Sequence, residues 1–204
     1  MSDSEVWKAY NLAGAPAPAR PRLVKTLETF FSDAQGKALD LGCGGGRDTR
    51  ALLSKAWAVD AVDSNRESAR LMTHLKSEYR PTKLRFFKTD FKNLQLEESA
   101  YDLINASYSL PFCHPSEFPL FWRKILSWLK PNGILSCELF GTEDSWAKSI
   151  ELRQSMTFFT QTEVEVLFSE LKTEFFDEER INRTTFTGAL KHWHSFTCIS
   201  RKPQ

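Results

Sequence analysis

The 204-residue chain lacks most of the features that would assign it to a special class. Its four cysteines, Cys43, Cys113, Cys137 and Cys198, include no C-x-x-C pair, which argues against a zinc site or a disulfide frame and for reduced thiols. Neither sign of charge dominates: 27 basic residues stand against 26 acidic ones with no block of like charge, so nothing advertises a nucleic-acid or membrane-surface partner. No apolar run approaches the length of a membrane span, and the opening Met-Ser-Asp-Ser-Glu has no basic-then-apolar leader. Repeats and low-complexity tracts are missing too. The expectation is one cytoplasmic domain, 41% hydrophobic and 26% charged, long enough to bury a sizeable core. Six Trp and sixteen Phe are generous, and some are expected to line a pocket.

What the chain does have is concentrated in Ala38-Leu-Asp-Leu-Gly-Cys-Gly-Gly-Gly-Arg-Asp-Thr49. A short apolar run containing Asp40 breaks into glycines and continues as a helix, the strand–loop–helix start of an open α/β sheet, where backbone N–H groups face a nucleotide-like ligand. The dinucleotide fingerprint G-x-G-x-x-G fits neither frame, because Arg47 or Thr49 stands where its third glycine belongs. The pattern present is D-x-G-x-G-x-G, Asp40 with Gly42, Gly44 and Gly46. On these residues the chain resembles the class I S-adenosylmethionine-dependent methyltransferases. The resemblance implies a Rossmann-like α/β fold with a seven-stranded, mostly parallel sheet, helices on both faces and an antiparallel last strand. It also implies S-adenosylmethionine as cofactor.

The rest of the sequence supplies elements at the offsets this fold needs. Residues 1–21 form an extension, with a short helix over 4–10 and a Pro- and Ala-rich stretch; in similar methyltransferases such segments fold over the cofactor. The domain proper covers 22–204. Apolar spacing predicts a helix over 22–32, strands at 37–41, 58–63, 84–88, 101–107 and 134–140, and helices over 47–55 and 65–79. The clearest helix has Phe118, Phe121, Trp122, Ile125, Leu126 and Leu129 on one face. Lys130-Pro-Asn-Gly133 reads as a turn before the fifth strand. A less regular stretch to Phe159 and then a further helix capped by Thr160 or Thr162 lead to two final strands, about 173–182 and 192–200.

Asp63, at the carboxyl end of the second strand, is placed to accept from both ribose hydroxyls of a nucleoside. The resemblance adds Asp90 and Phe91 as the adenine contact. Arg47, opening the helix beside the glycine loop, is placed to hold the methionine carboxylate, with an exposed ion pair as the alternative, and Asp40 and Ala106 complete the expected cofactor-binding set. The acceptor is expected on the rim formed by the loops after strands four and five and the turn between the last two strands, among Tyr108, Pro111, Phe112, His114, Trp146, His192, Trp193 and His194. Tyr108, His114, His192 and His194 are the catalytic candidates, a histidine near neutral pKa suiting a base. No metal site is expected, since the H-x-H pair lacks a carboxylate or cysteine cluster. "DLGCGGGRDT", the compact length and "SYSLPF" resemble the tellurite-resistance-type methyltransferases. That likeness implies a small acceptor: an oxyanion such as tellurite or selenite, a thiol or a carboxylate. A catalytically silent domain that binds the cofactor as a sensor or partner subunit is the alternative. A nucleic-acid methylase is disfavoured, because Asn105-Ala-Ser-Tyr108 stands where an N/D-P-P-Y motif would.

Overall fold

The computed structural model describes residues 3–32 and 35–204, so the first two residues of the extension lie outside the described residues. Seven strands form one sheet: β1 (Lys37–Leu41), β2 (Ala58–Val62), β3 (Leu84–Phe87), β4 (Tyr101–Ala106), β5 (Leu129–Phe140), β6 (Lys172–Thr184) and β7 (Leu190–Arg201). Their order is β3-β2-β1-β4-β5-β7-β6, and β7 alone runs against the rest. This is the expected Rossmann-like methyltransferase arrangement. The chain winds away from β1 on one side through β2 and on the other through β4, which opens a crevice above the carboxyl ends of these strands.

Both faces of the sheet are covered, so its central strands read as almost unbroken apolar runs. One face packs Leu39, Leu41, Ile104, Leu135, Cys137 and Phe196 against helices α5 (Phe118–Trp128) and α7 (Gln161–Leu167). The other packs Ala38, Val59, Leu103 and Ile134 against α2 (Pro21–Phe30), α3 (Arg47–Ser54) and α4 (Arg66–Glu78). α5 buries Phe118, Phe121, Trp122, Ile125 and Trp128, each worth roughly 1.5–3 kcal/mol relative to an exposed side chain. Local signals fix the helix starts. Asn65 caps α4 by accepting from Glu67 N, and Thr160 and Glu163 form a reciprocal capping box on α7.

Three expectations are corrected. The helix of the extension, α1, runs over Asp3–Gly14, longer than its apolar spacing suggests, because its far end packs on the glycine loop. The turn at 130–133 lies inside β5: Tyr101 pairs with Leu129 and Leu103 with Ile134, so a bulge takes up the extra residues. Asn132 still adopts the left-handed conformation (φ 64°), and it donates its N–H to Lys202 O. Between β5 and α7, a short helix, α6 (Ile150–Ser155), forms where irregular chain is expected. Among the described residues, no helix is long and apolar enough to cross a membrane.

Candidate methyl-transfer site

The glycine loop folds back over the end of β2, with Gly42 N and Cys43 N both donating to Val62 O. Gly42, Gly44 and Gly46 take positive φ. Gly45, which the sequence motif leaves open, is required for a different reason: a Cβ there would lie 2.3 Å from Asn11 O and 2.8 Å from Ala15 N. α1 therefore rests directly on the loop. Asn11 fastens it by donating from Nδ2 to Ser68 on α4.

Asp63 is half-buried beside this loop, its Oδ2 accepting from Gly44 N and its Oδ1 from Asn65 N, each at 2.8 Å. One bond per oxygen leaves lone pairs for ribose hydroxyls, so the donor set fits the nucleoside part of S-adenosylmethionine. Asp60, the other acid of β2, faces away and is held by Arg85 and Tyr101. Asp90 sits in an exposed turn and accepts from the backbone and side chain of Asn93, while Phe91 stacks on Phe121 with ring centroids 4.6 Å apart. Ala106 ends β4, fully buried. Arg47 donates from Nε to Pro18 O, and Arg50 reaches Ala15 O and Ala17 O. Together the two arginines clamp the connection between α1 and α2.

Asp40 lies beneath the loop, not in it. The parallel registers place Asp40, Asn105 and Ser136 side by side across β1, β4 and β5. Asp40 accepts from Thr49 Oγ1 and Asn105 Nδ2, and Ser107 donates to Asp48. Arg22 of α2 lies over this row and donates to Asn105, Ser107 and Ser136. Burial first, and then the like charge of Asp48, pushes the Asp40 carboxyl up to about 6. Because this value is raised above the ordinary 3.8, folding takes up a proton between the two. The contribution of Asp40 to stability is therefore full below pH 3.8 and lost as pH rises through 6. Urea denaturation at pH 7 and pH 5 should show wild type gaining stability on acidification relative to Asp40→Asn. Parallel pH dependence of the two proteins would remove the effect.

The acceptor rim separates the candidates by strand alternation. Trp193 and Lys191 point to the face where Tyr108, Phe140 and Trp146 converge: Trp193 lies 6.3, 6.0 and 5.9 Å from these three rings, centroid to centroid. Phe112 joins Phe140 and Trp146, and Trp7 of α1 packs edge-on against Phe112. His192 and His194 point to the opposite face. His194 is buried, its Nε2 2.8 Å from Glu178 and its Nδ1 accepting from Glu143 N, and its ring fills the space that a Cβ at Gly141 would need. His192 pairs with Asn182, and His114 is exposed beside Ser116. Of the four catalytic candidates, only Tyr108 stands in the aromatic cluster.

Lys191 replaces the histidines on the rim. Its buried ammonium pairs with buried Asp144 and lies 3.6 Å from the Trp193 ring centroid, 4.3 Å from Trp146 and 4.8 Å from Phe140. The four thiols are all buried, and burial pushes Cys113, the one nearest the rim, up to about 11, as expected for an inert thiol. Among the described residues no group of three His, Cys, Asp or Glu is placed to hold a metal ion.

Residues 38–133 match the family model described as a methyltransferase domain. A curated relative, the malonyl-[acyl-carrier protein] O-methyltransferase of Halalkalibacterium halodurans, is 29% identical over 175 residues, 74% of this chain and 63% of the relative. TehB from Haemophilus influenzae superposes with a TM-score of 0.74 at 18% identity, over 90% of this chain and 62% of that one. The chain thus spans less than two thirds of either protein. The 1,6-didemethyltoxoflavin-N1-methyltransferase of Burkholderia thailandensis, solved with its substrate and S-adenosylhomocysteine, superposes at 0.67 with 20% identity, over 98% of this chain and 89% of that one. Residues 38–133 thus match a methyltransferase domain, and the glycine loop and strand order give the chain the fold of the S-adenosylmethionine-dependent methyltransferases it superposes on.

Proposed function

We propose that the chain transfers a methyl group from S-adenosylmethionine to a small molecule held against the aromatic wall of Tyr108, Phe112, Phe140, Trp146 and Trp193. The observation that carries this reading is the common rim. The loop with Asp63 and the aromatic wall both stand at the carboxyl ends of the parallel strands, with β4 between them. The cofactor brings an activated methyl group on a sulfonium, so the protein's tasks are to orient the acceptor, exclude water and take a proton where there is one. Asp63 would hold the ribose and the loop N–H groups would face the rest of the cofactor. α1, seated on Gly45 and joined to the rim through Trp7, would cover both parts of the site. Of the acceptors implied by the tellurite-type likeness, an oxyanion fits least well, because Lys191 and Arg22 are already paired inside the protein.

The test is S-adenosylhomocysteine release from labelled S-adenosylmethionine across tellurite, selenite, small thiols, carboxylic acids, and flat amines and phenols. Turnover on one class is expected. Cofactor binding without turnover on any of them would favour the silent sensor domain.

A further inference from the structure

One buried carboxylate in the site has an idle oxygen. Glu138, 4% exposed, projects from β5 on the same face as Ser136 and Phe140. Its Oε1 lies 2.7 Å from Arg22 Nε as an ion pair, but among the described residues that N–H makes no aligned hydrogen bond and Oε2 has no hydrogen-bond partner. A buried charged group left in this state calls for a reason beyond folding.

Its surroundings supply one. Arg22 lies on one side, with its terminal nitrogens on the Asn105–Ser136 row and Ser107. Tyr108 stacks its ring, at 5.7 Å, on Phe140, the next residue along Glu138's face of β5. Burial, and next the charge of Glu138, push the Tyr108 phenol above its ordinary value. Tyr108 also holds φ at 51°, a left-handed conformation unfavourable for an aromatic residue and of the kind that collects at functional sites. The nearby cations are matched: Arg22 by Glu138, Arg20 by Asp48 and the Tyr10 hydroxyl, Lys191 by Asp144. Arg22 Nε, though not aligned for a hydrogen bond, already lies against Glu138 Oε1, so the group left open to a ligand is the acceptor Oε2. An entering oxyanion would meet the Glu138 charge and only cations already engaged, whereas a molecule carrying N–H or O–H would satisfy Oε2.

We propose that Glu138 Oε2 reads and removes the proton of the methyl acceptor, and that this acceptor is a flat molecule presenting a neutral N–H or O–H nucleophile to the aromatic wall. The proposal rests on the methyltransferase reading above. The nucleophile's lone pair forms the new bond to the methyl carbon, and the electron pair of the broken carbon–sulfur bond stays on the departing thioether. The acceptor's proton passes to Glu138 and reaches solvent when the product leaves.

The experiment compares wild type with Glu138→Gln and Glu138→Asp, using benzimidazole, catechol and selenite as probes and calorimetric binding of S-adenosylhomocysteine as the second readout. Wild type is expected to methylate benzimidazole or catechol and to leave selenite unchanged. Glu138→Gln should lower kcat on the better probe by about 10²–10⁴-fold, the usual scale of general-base catalysis. Glu138→Asp keeps the charge against Arg22 but withdraws the oxygen; it should also lose most of its kcat. Both variants should bind S-adenosylhomocysteine within twofold of wild type, which shows them folded. The proposal is overturned if neither protonated probe is methylated, if selenite is the probe turned over, or if Glu138→Asp retains wild-type kcat. Failure of wild type to bind S-adenosylhomocysteine would instead bring down the methyltransferase reading itself, and the proposal with it.

Discussion

Asp144→Ala is expected to remove about 3–5 kcal/mol of folding stability, the scale on which breaking one side of a buried ion pair is felt. Asp144 is fully buried after β5, where Oδ1 accepts from Trp146 N, and Oδ2 accepts from Lys191 Nζ and His194 N. Truncation would strand two backbone donors and leave the Lys191 ammonium with aromatic rings as its main neighbours. Those rings offset part of the loss through cation–π attraction, worth up to about 2 kcal/mol when desolvated. Burial already holds the Lys191 ammonium below its ordinary pKa, although Asp144 opposes the shift, so shedding the proton is a second partial escape. The double variant Asp144→Ala/Lys191→Met should recover a large share of the loss, since an apolar side chain of similar length fits the ring cluster without a charge. Urea denaturation of wild type, both single variants and the double variant measures the coupling. A single-variant loss below about 1 kcal/mol would mean that the pair is solvated and that the rim is looser than the geometry indicates.

That pair also shows why parts of the site were hidden in the sequence. The glycine loop and Asp63 are legible because their chemistry is local: a strand, a turn and a helix start lie within a few residues of each other, and the next strand ends in the acid. The H-W-H run at 192–194 was legible as a rim segment but not in its parity, which depends on the pairing of Phe140 with Ser195 across β5 and β7. One residue of register decides whether Trp193 or its two histidine neighbours face Tyr108. The row Asp40, Asn105 and Ser136 depends similarly on lateral register between strands far apart in sequence, and Arg22 reaches it from a helix whose apolar spacing says nothing of its polar face. Glu138 did leave a trace. In Ile134-Leu-Ser-Cys-Glu-Leu-Phe140, Ser136 and Glu138 occupy alternate positions of an otherwise apolar run, and a polar stripe in a strand buried on both faces marks either a network or a site.

Asp63→Ala should weaken S-adenosylhomocysteine binding by about 3 kcal/mol or more, on the order of a hundredfold. Two losses combine. The carboxylate would no longer accept from ribose hydroxyls, each charge-assisted bond being worth about 1.5–3 kcal/mol. Gly44 N and Asn65 N would also lose their acceptor, which loosens the loop and the start of α4 before any ligand arrives. Asp63→Asn separates the two effects, because its amide oxygen retains one backbone acceptor while the charge is gone; an intermediate affinity is expected. Asp90→Ala makes the useful contrast. Asp90 is exposed and engaged with Asn93, so its removal should cost clearly less affinity than the loss of Asp63. Calorimetry on the three variants ranks the contacts, and equal affinity for wild type and Asp63→Ala would move the ribose away from the end of β2. An affinity order with Asp90→Ala weakest would place the greater part of the binding energy at the adenine end, and the turn after β3 would then have to reorganise around the base.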